Sequence, residues 1–441
     1  MANILLLGAG FVTGPLVDYL HKKNHQITVG SQFLYEAEEL VAGRDNLTPL
    51  QVDVTDAQQL TELVKGADLV ISFVPFQFHV SVAKICVAER TSMVTASYTH
   101  EDMWKLNEEA KAAGITILNE IGVDPGIDHM TAMKVIDEAH EQGKKVEALV
   151  SWCGGIPAPE ANNNPLGYKF SWSPMAVLSA VSNDAIYLSK GESKSIAGEE
   201  LLASMRDVTL TSDMELKGYA NRNSLSYKQE YRIPEVKTLL RGTLRYPGFG
   251  PVIDAAKKVG LLSSQSFDGE APTTWHDLMT YLAKLKSVES SADLFNDRSI
   301  GDSFKWLGCF SEEKILGDSP IAAFCSLLTE KLKYQEGEQD MIVMQHRMVI
   351  VDSEGNKEFH RSTLVEKGDS GGYSAMAKTV GYPAAIAADL ILAGKIDRKG
   401  VCIPVTKDIY EPVLRELELL NIKMEDKLIE NQEEASFLNH L

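Results

Sequence analysis

The stretch LLLGAGFVTGP, residues 5–15, decides the reading of the first domain. The apolar run at residues 4–7 ends on a glycine, as a buried parallel strand does when it enters a tight turn. Gly8 and Gly10 fill the first two positions of a G-x-G-x-x-G fingerprint, with Thr13 at the third small position and Gly14 one further on. The first glycine permits the turn, and the second lets the backbone approach a pyrophosphate. The unpaired N–H groups at the start of the following helix then face the phosphates. A glycine turn alone is a weak signal, so its context has to decide.

That context is a series of βα units. Apolar runs recur at 27–29, 50–52, 69–72, 93–95 and 115–118. Amphipathic segments separate them: Val12, Leu16, Tyr19 and Leu20 share one helix face, and Leu60, Leu63 and Val64 share another behind an Asp56 cap. Thr99 is expected to cap a helix that stops at Gly114. This alternation predicts an α/β fold, a Rossmann-type doubly wound parallel sheet with helices on both faces.

After Pro125 the pattern changes. A helix is expected at 126–142 and a strand at 146–152, entering a loop CGGIPAPE at 153–160. Strand-like stretches run to about 246, and 251–334 reads as mostly helical and charged. Residues 341–351 and 358–365 look like antiparallel strands around the turn DSEGN. The small-residue stretch at 371–394 reads as helical, with a break near Gly381 and Pro383. The sum is a second, mixed α/β domain carrying a helical insertion, with no internal repeat.

Composition removes several function classes. Sixty-two acidic against 43 basic residues give a net charge of -19, which opposes nucleic acid and anionic membrane surfaces as partners. The five cysteines, Cys86, Cys153, Cys309, Cys325 and Cys402, are scattered and form no C-x-x-C pair. That suits a reducing compartment and predicts no structural zinc or other metal. The first residues lack the pattern of a signal peptide, and no apolar run reads as long enough to span a bilayer, so a cytoplasmic protein is expected.

In a sheet of this kind, ligands bind beyond the carboxyl ends of the strands. SFVPF (72–76), TASY (95–98) and NEIGVDPGIDH (119–129) end there. Ser97, Tyr98 and Asp124 are proton-handling candidates, although Asp124, next to Pro125, reads locally first as a helix cap. His129 reads as a packed or surface residue. The second strand ends in VGSQF, where Ser31 and Gln32 replace both the acid that holds a ribose 2′-hydroxyl and the arginine that holds a 2′-phosphate. Cys153 is either a small buried residue or part of a site. Arg222 and Arg245 either fork onto carboxylates or form surface ion pairs.

These strings, together with NNPLGYKFSW (163–172), RGTLRY (241–246) and GGYSAMAK (371–378), resemble the saccharopine reductase family over nearly the whole chain. These are the NADP-dependent, L-glutamate-forming saccharopine dehydrogenases. The resemblance implies interconversion of saccharopine with L-glutamate and 2-aminoadipate 6-semialdehyde by hydride transfer, in a homodimer. It implies an NADP-binding Rossmann domain at 1–125 with about 395–441. A substrate and dimerisation domain at 126–250 with about 335–394 and a helical insertion at 251–334 complete it. Dinucleotide contacts would fall on Gly8, Ala9, Gly10, Phe11, Val12, Ser31, Gln32, Phe33, Asp53, Val54, Ala96, Ser97, Val123, Asp124, Pro125 and Ser173. Substrate contacts would fall on Ser97, Tyr98, Asp124, Arg222, Thr243, Leu244 and Arg245, with Tyr98, Asp124 and Cys153 near the reacting carbon. The family has arginine where this chain has Gln32, and often where it has Gly14, which leaves NAD(H) open beside NADP(H). Two other readings stay open: an imine reductase for carboxylated polyamines, and a dinucleotide sensor without turnover.

Overall fold

A computed structural model describes residues 1–210, 214–267 and 271–429. Among these the chain forms two compact units, one mainly of residues 1–146, 350–357 and 362–428, the other mainly of 147–349 and 358–361. The part of the expected C-terminal return at 430–441 lies outside the described residues.

The first unit is built on a parallel sheet. Its strands are β1 (Asn3–Leu7), β2 (Gln26–Ser31), β3 (Leu47–Gln51), β4 (Leu69–Ser72), β5 (Ser92–Val94) and β6 (Thr116–Leu118), with a late strand Gly400–Cys402 at the edge. The order across the sheet is Gly400–Cys402, β6, β5, β4, β1, β2, β3, every pair parallel. Ile4, Leu5, Leu6 and Leu7 are almost wholly buried, as are Leu69, Val70 and Ile71. Helices cover both faces, which is why these strands read as continuous apolar runs. Strand order reverses between β1 and β4, and that reversal opens the crevice in which such sheets hold ligands.

Local chemistry departs from the sequence reading in several places. The third strand is Leu47–Gln51, and Val52 follows it. Asp56 caps its helix as expected, accepting from Gln58 N and Gln59 N. Thr99 caps nothing: His100 Nδ1 accepts from Asp102 N at 3.0 Å and starts the helix Glu101–Lys105, and a separate helix Asn107–Ala113 runs to Gly114. Thr99 is taken instead by Glu120.

The expected break at Gly381 and Pro383 is also absent, and Ala375–Leu392 is one helix with Pro383 inside it. It packs on the helix Gly14–Lys22. A Cβ at Gly381 would stand 2.7 Å from the Val12 carbonyl oxygen, so this glycine serves close helix approach, not a kink. Packing holds the helix where proline removes one N–H. The same helix is long and apolar enough to cross a membrane, contrary to the sequence expectation, but 72% of that window is buried within the protein. Both this helix and Ile127–Glu141 belong to the first unit, although the expected division placed them in the second.

The second unit carries β7 (Lys145–Pro157), β8 (Ala185–Ser189), β9 (Glu192–Ile196), β10 (Arg206–Val208), β11 (Leu216–Ala220), β12 (Thr238–Arg245) and β13 (Asp340–Val351). Among these strands the order in the sheet is β10, β11, β12, β7, β13, with β8 paired to β12 and β9 paired to β8. β10–β11 and β11–β12 are antiparallel, whereas β12–β7 is parallel. The CGGIP segment is therefore strand and not loop: β7 continues to Pro157 because Gly154 lets Leu244 approach, where a Cβ would meet the Leu244 Cβ at 2.8 Å. The helices Phe249–Val259, Trp275–Leu285, Arg298–Leu307 and Pro320–Lys331 fill the stretch read as a helical insertion. They bury Trp275, Phe304 and Phe324 in the core of this unit.

Gly381→Ala tests the helix contact. In an open helix this change stabilises by about 1 kcal/mol. Here the Cβ meets backbone, so the expected outcome is a loss of about 1–3 kcal/mol, seen as a lowered urea midpoint. A raised midpoint would show that the helices separate without cost.

Candidate functional site

The glycine turn follows from contacts that only glycine permits. Gly8 has φ +108°, and a Cβ there would lie 2.6 Å from Phe73 O. Gly8 N donates to Gly30 O at 2.8 Å, tying the turn to β2. Thr13 Oγ1 donates to Gly10 O at 2.7 Å and closes it. A Cβ at Gly10 would meet nothing within 4 Å. That face is open to backbone approach by a pyrophosphate, so the turn fits a dinucleotide. Ala9 and Val12 are half-buried beside it, and Phe11 is exposed. Gly14 also has a cause: a Cβ there would collide with the Tyr373 ring. Tyr373 is fixed by donating to Asp18 Oδ2 at 2.6 Å, while Arg44 Nε donates to Asp18 Oδ1 at 2.7 Å. A side chain at position 14 would therefore have to displace this tyrosine ring.

The ends of β2 and β3 form a second patch. Ser31 Oγ donates to Glu36 Oε2 at 2.7 Å, and Phe33 N donates to Ser31 Oγ at 3.3 Å. Gln51 Nε2 donates to Gln32 O at 3.1 Å. Asp53 Oδ1 accepts from the Thr55 hydroxyl at 2.7 Å and from Thr55 N at 2.8 Å, which holds its carboxyl below the usual range. Val54 is half-buried next to it.

The ends of β4, β5 and β6 bring the proton-handling candidates together. Tyr98 donates its phenol proton to Asp124 Oδ1 at 3.0 Å. Asp124 does not cap the next helix, as its local sequence suggested. Gly126 occupies the cap position, and Gly126 N donates to Asp128 Oδ1 at 2.6 Å. The Asp124–Pro125 bond is cis. Val123 is buried, and Ala96 packs where a Cβ at Gly122 would come within 3.0 Å. Ser97 Oγ lies 2.7 Å from His79 Nε2, and His79 Nδ1 lies 2.9 Å from Ser72 Oγ. Burial lowers the His79 pKa to about 4, so the ring is neutral at pH 7. Behind this row, Glu120 Oε1 accepts from Thr99 N at 2.9 Å and from its hydroxyl at 2.8 Å, and Oε2 lies 2.8 Å from His129 Nε2. Burial opposes the Glu120 charge, but the bonds from His129 and Thr99 win and hold its carboxyl below the usual range. The sequence reading placed Ser72 and Glu120 in strand-end segments without giving either a role, and it missed His79. Only the polar residues at successive strand ends hinted at them.

In the second unit, Thr243 pairs in register with Cys153 across β12 and β7, and both lie next to the Gly154–Leu244 approach. Cys153 is buried. Arg245 is buried: its guanidinium lies 5.0 Å from the Tyr168 ring centroid and 5.2 Å from that of Phe249, and Nη1 donates to Leu244 O at 2.7 Å. A planar cation held between rings keeps one orientation. Arg222 follows β11 with φ +52°, and its carbonyl accepts from Ile186 N at 2.8 Å. Ser173 is exposed and caps the helix Pro174–Ala180, accepting from Ala176 N at 3.3 Å.

The comparisons with known proteins agree from end to end. A family described as saccharopine dehydrogenase NADP binding domain matches residues 4–118, and one described as saccharopine dehydrogenase C-terminal domain matches 122–421. A saccharopine dehydrogenase [NADP(+), L-glutamate-forming] of Pyricularia oryzae is 39% identical, over 97% of this chain and 99% of its own. This chain belongs to the saccharopine dehydrogenase family. The family's Saccharomyces cerevisiae apo structure, the L-Glu forming enzyme, superposes with a TM-score of 0.86 at 37% identity, over 97% of this chain and all of that one. A mitochondrial alpha-aminoadipic semialdehyde synthase of Mus musculus is 40% identical over 94% of this chain, which spans 46% of that longer protein.

In this family member the neutral histidine behind Ser97 makes an acid-sensitive joint. Unfolded, His79 takes a proton as pH falls through its ordinary 6.5; folded, it resists until about 4. Its contribution is complete above pH 6.5 and is lost as pH falls towards 4. Between pH 7.5 and 4.5 the chain should lose roughly 2 kcal/mol more than His79→Gln does, read from urea midpoints. Equal losses in both proteins would refute the buried neutral ring.

Proposed function

We propose that this chain is an oxidoreductase of lysine metabolism that interconverts saccharopine with L-glutamate and 2-aminoadipate 6-semialdehyde, using NADP(H). The observation that carries this reading is coverage: enzymes bearing that activity in their names align over nearly their whole length and nearly all of this chain. NADP(H), when bound, would supply a hydride to the carbon of the imine that joins the two smaller molecules, or accept it from that same carbon in saccharopine.

The residues divide the remaining work. The open face of Gly10 with Gly8, Ala9, Phe11 and Val12 receives the pyrophosphate. Ser31, Gln32, Phe33, Asp53 and Val54 meet the adenosine end, and Ala96, Ser97, Val123, Pro125 and Ser173 are further dinucleotide contacts. His79 fixes the Ser97 hydroxyl without adding charge. The Tyr98–Asp124 pair holds or moves a proton, since a phenol that donates to a carboxylate has a defined acceptor for its hydrogen. Saccharopine carries three carboxylates, and Arg222 and Arg245 hold them, with Arg245 oriented by its two rings. Thr243 and Leu244 precede Arg245 on β12, and Cys153 pairs with Thr243 across β7. We also infer a cytoplasmic homodimer with no nucleic-acid or membrane partner, on the family resemblance and the acidic composition.

Purified protein with saccharopine and NADP⁺ should show nicotinamide reduction by absorbance; an inert mixture in both directions would overturn the reading. An arginine–carboxylate contact contributes about 1.5–3 kcal/mol. Arg222→Ala and Arg245→Ala should therefore each raise the saccharopine KM tenfold or more, and unchanged KM in both would remove the clamp. Asp124→Asn should shift or flatten the pH–rate profile; a profile identical to wild type would take Asp124 out of the proton path.

A further inference from the structure

At the adenosine end of the dinucleotide site stands a carboxylate, Glu36, that forms no ion pair among the described residues. In a sheet of this order, the end of β2 faces the adenosine ribose. Binders of a 2′-phosphate place a cation there, and binders of a free 2′-hydroxyl place an acid that accepts from it. In this chain the strand end is Ser31, 7% exposed, and its hydroxyl donates to Glu36 Oε2 at 2.7 Å from the first turn of the helix Leu34–Val41. The acid is thus not at the strand end in sequence but is brought to it in space, five residues on. Gln32 is neutral, and its carbonyl is occupied by Gln51.

A cation could still offset Glu36, but none is available from this part of the chain. From Ser31 to Val64 the one basic residue is Arg44, among Glu36, Glu38, Glu39, Asp45, Asp53, Asp56 and Glu62. Arg44 is committed elsewhere: Nε and Nη2 pair with Asp18 at 2.7 Å, Nη1 donates to Leu40 O at 2.8 Å, and Nη2 reaches Tyr373 Oη at 3.3 Å. A 2′-phosphate carries about -1.5 to -2 charges at neutral pH, so it would approach Glu36 against repulsion. A 2′-hydroxyl would donate to the same oxygen.

We propose that Glu36, presented by Ser31, sets the cofactor choice: it accepts the ribose hydroxyl of NAD(H) and opposes the phosphate of NADP(H). The chain therefore accepts NADH alongside NADPH. This rests on the dinucleotide site of the proposed function, but not on its substrate.

The test is fluorescence titration of NADH and NADPH, without saccharopine, on wild type, Glu36→Gln and Ser31→Ala. Wild type should bind NADPH no more than tenfold tighter than NADH. Glu36→Gln should tighten NADPH about tenfold and weaken NADH. Ser31→Ala, which releases the carboxylate, should shift the ratio of the two Kd values the same way by a smaller factor. A wild-type preference for NADPH above tenfold, or a ratio unmoved in both variants, overturns the proposal. Because no substrate is present, a chain inert towards saccharopine leaves a positive result standing, whereas a chain that binds neither dinucleotide overturns both readings.

Discussion

The carboxylate of Glu120 is buried, and it accepts from the Thr99 N–H and hydroxyl while facing His129 Nε2. A buried charge is tolerated only when its lone pairs are used, and removing one partner leaves the rest stranded in a poor solvent for ions. Three segments meet on these two oxygens: the loop after β5, the turn after β6, and the helix Ile127–Glu141. Glu120 itself adopts φ +58°, a conformation that a side chain rarely takes without such a reason. Tyr98 precedes Thr99 directly, and Asp124 lies between Glu120 and His129 in the chain. Their 3.0 Å hydrogen bond exists because the carboxylate behind them fixes both segments.

A second polar joint works on the other side of Ser97. His79 bridges Ser72 at the end of β4 to Ser97 beyond β5, and burial keeps it uncharged. The two joints differ in kind. Glu120 stays ionised because its bonds outweigh desolvation, while His79 stays neutral because desolvation meets no opposing charge. The strand ends that carry the candidate residues are thus held by one charged and one neutral group.

The sequence disclosed the architecture through period and punctuation. Runs such as Ile4–Leu7 and Leu69–Ser72 could only be buried strands, and Gly8 with Gly10 placed the phosphate turn. It was less informative where one residue had two physically sound uses. Thr99 and Asp124 both look like helix caps, and both are used as tertiary partners. Gly381 and Pro383 look like a break, yet packing on the helix Gly14–Lys22 outweighs one missing hydrogen bond. CGGIP looks like a loop because glycine usually marks one, but here it admits a neighbouring strand. His79 and Glu120 carried no local pattern at all, since their partners lie up to 21 residues away in the chain.

The nucleotide-binding unit is not contiguous in the chain. Its edge strand is Gly400–Cys402 beside β6, and its helix Gly14–Lys22 is covered by Ala375–Leu392. Synthesis runs from the N-terminus, so the first six strands leave the ribosome long before the segments that finish their sheet. Until residue 402 has emerged, β6 presents an open edge and the first helix an uncovered apolar side, the two surfaces on which nascent chains stick to one another. The whole second unit is made during that interval. The nascent first unit must therefore either wait in a partly folded state or be shielded, and the time for which it waits is set by the length of the second unit.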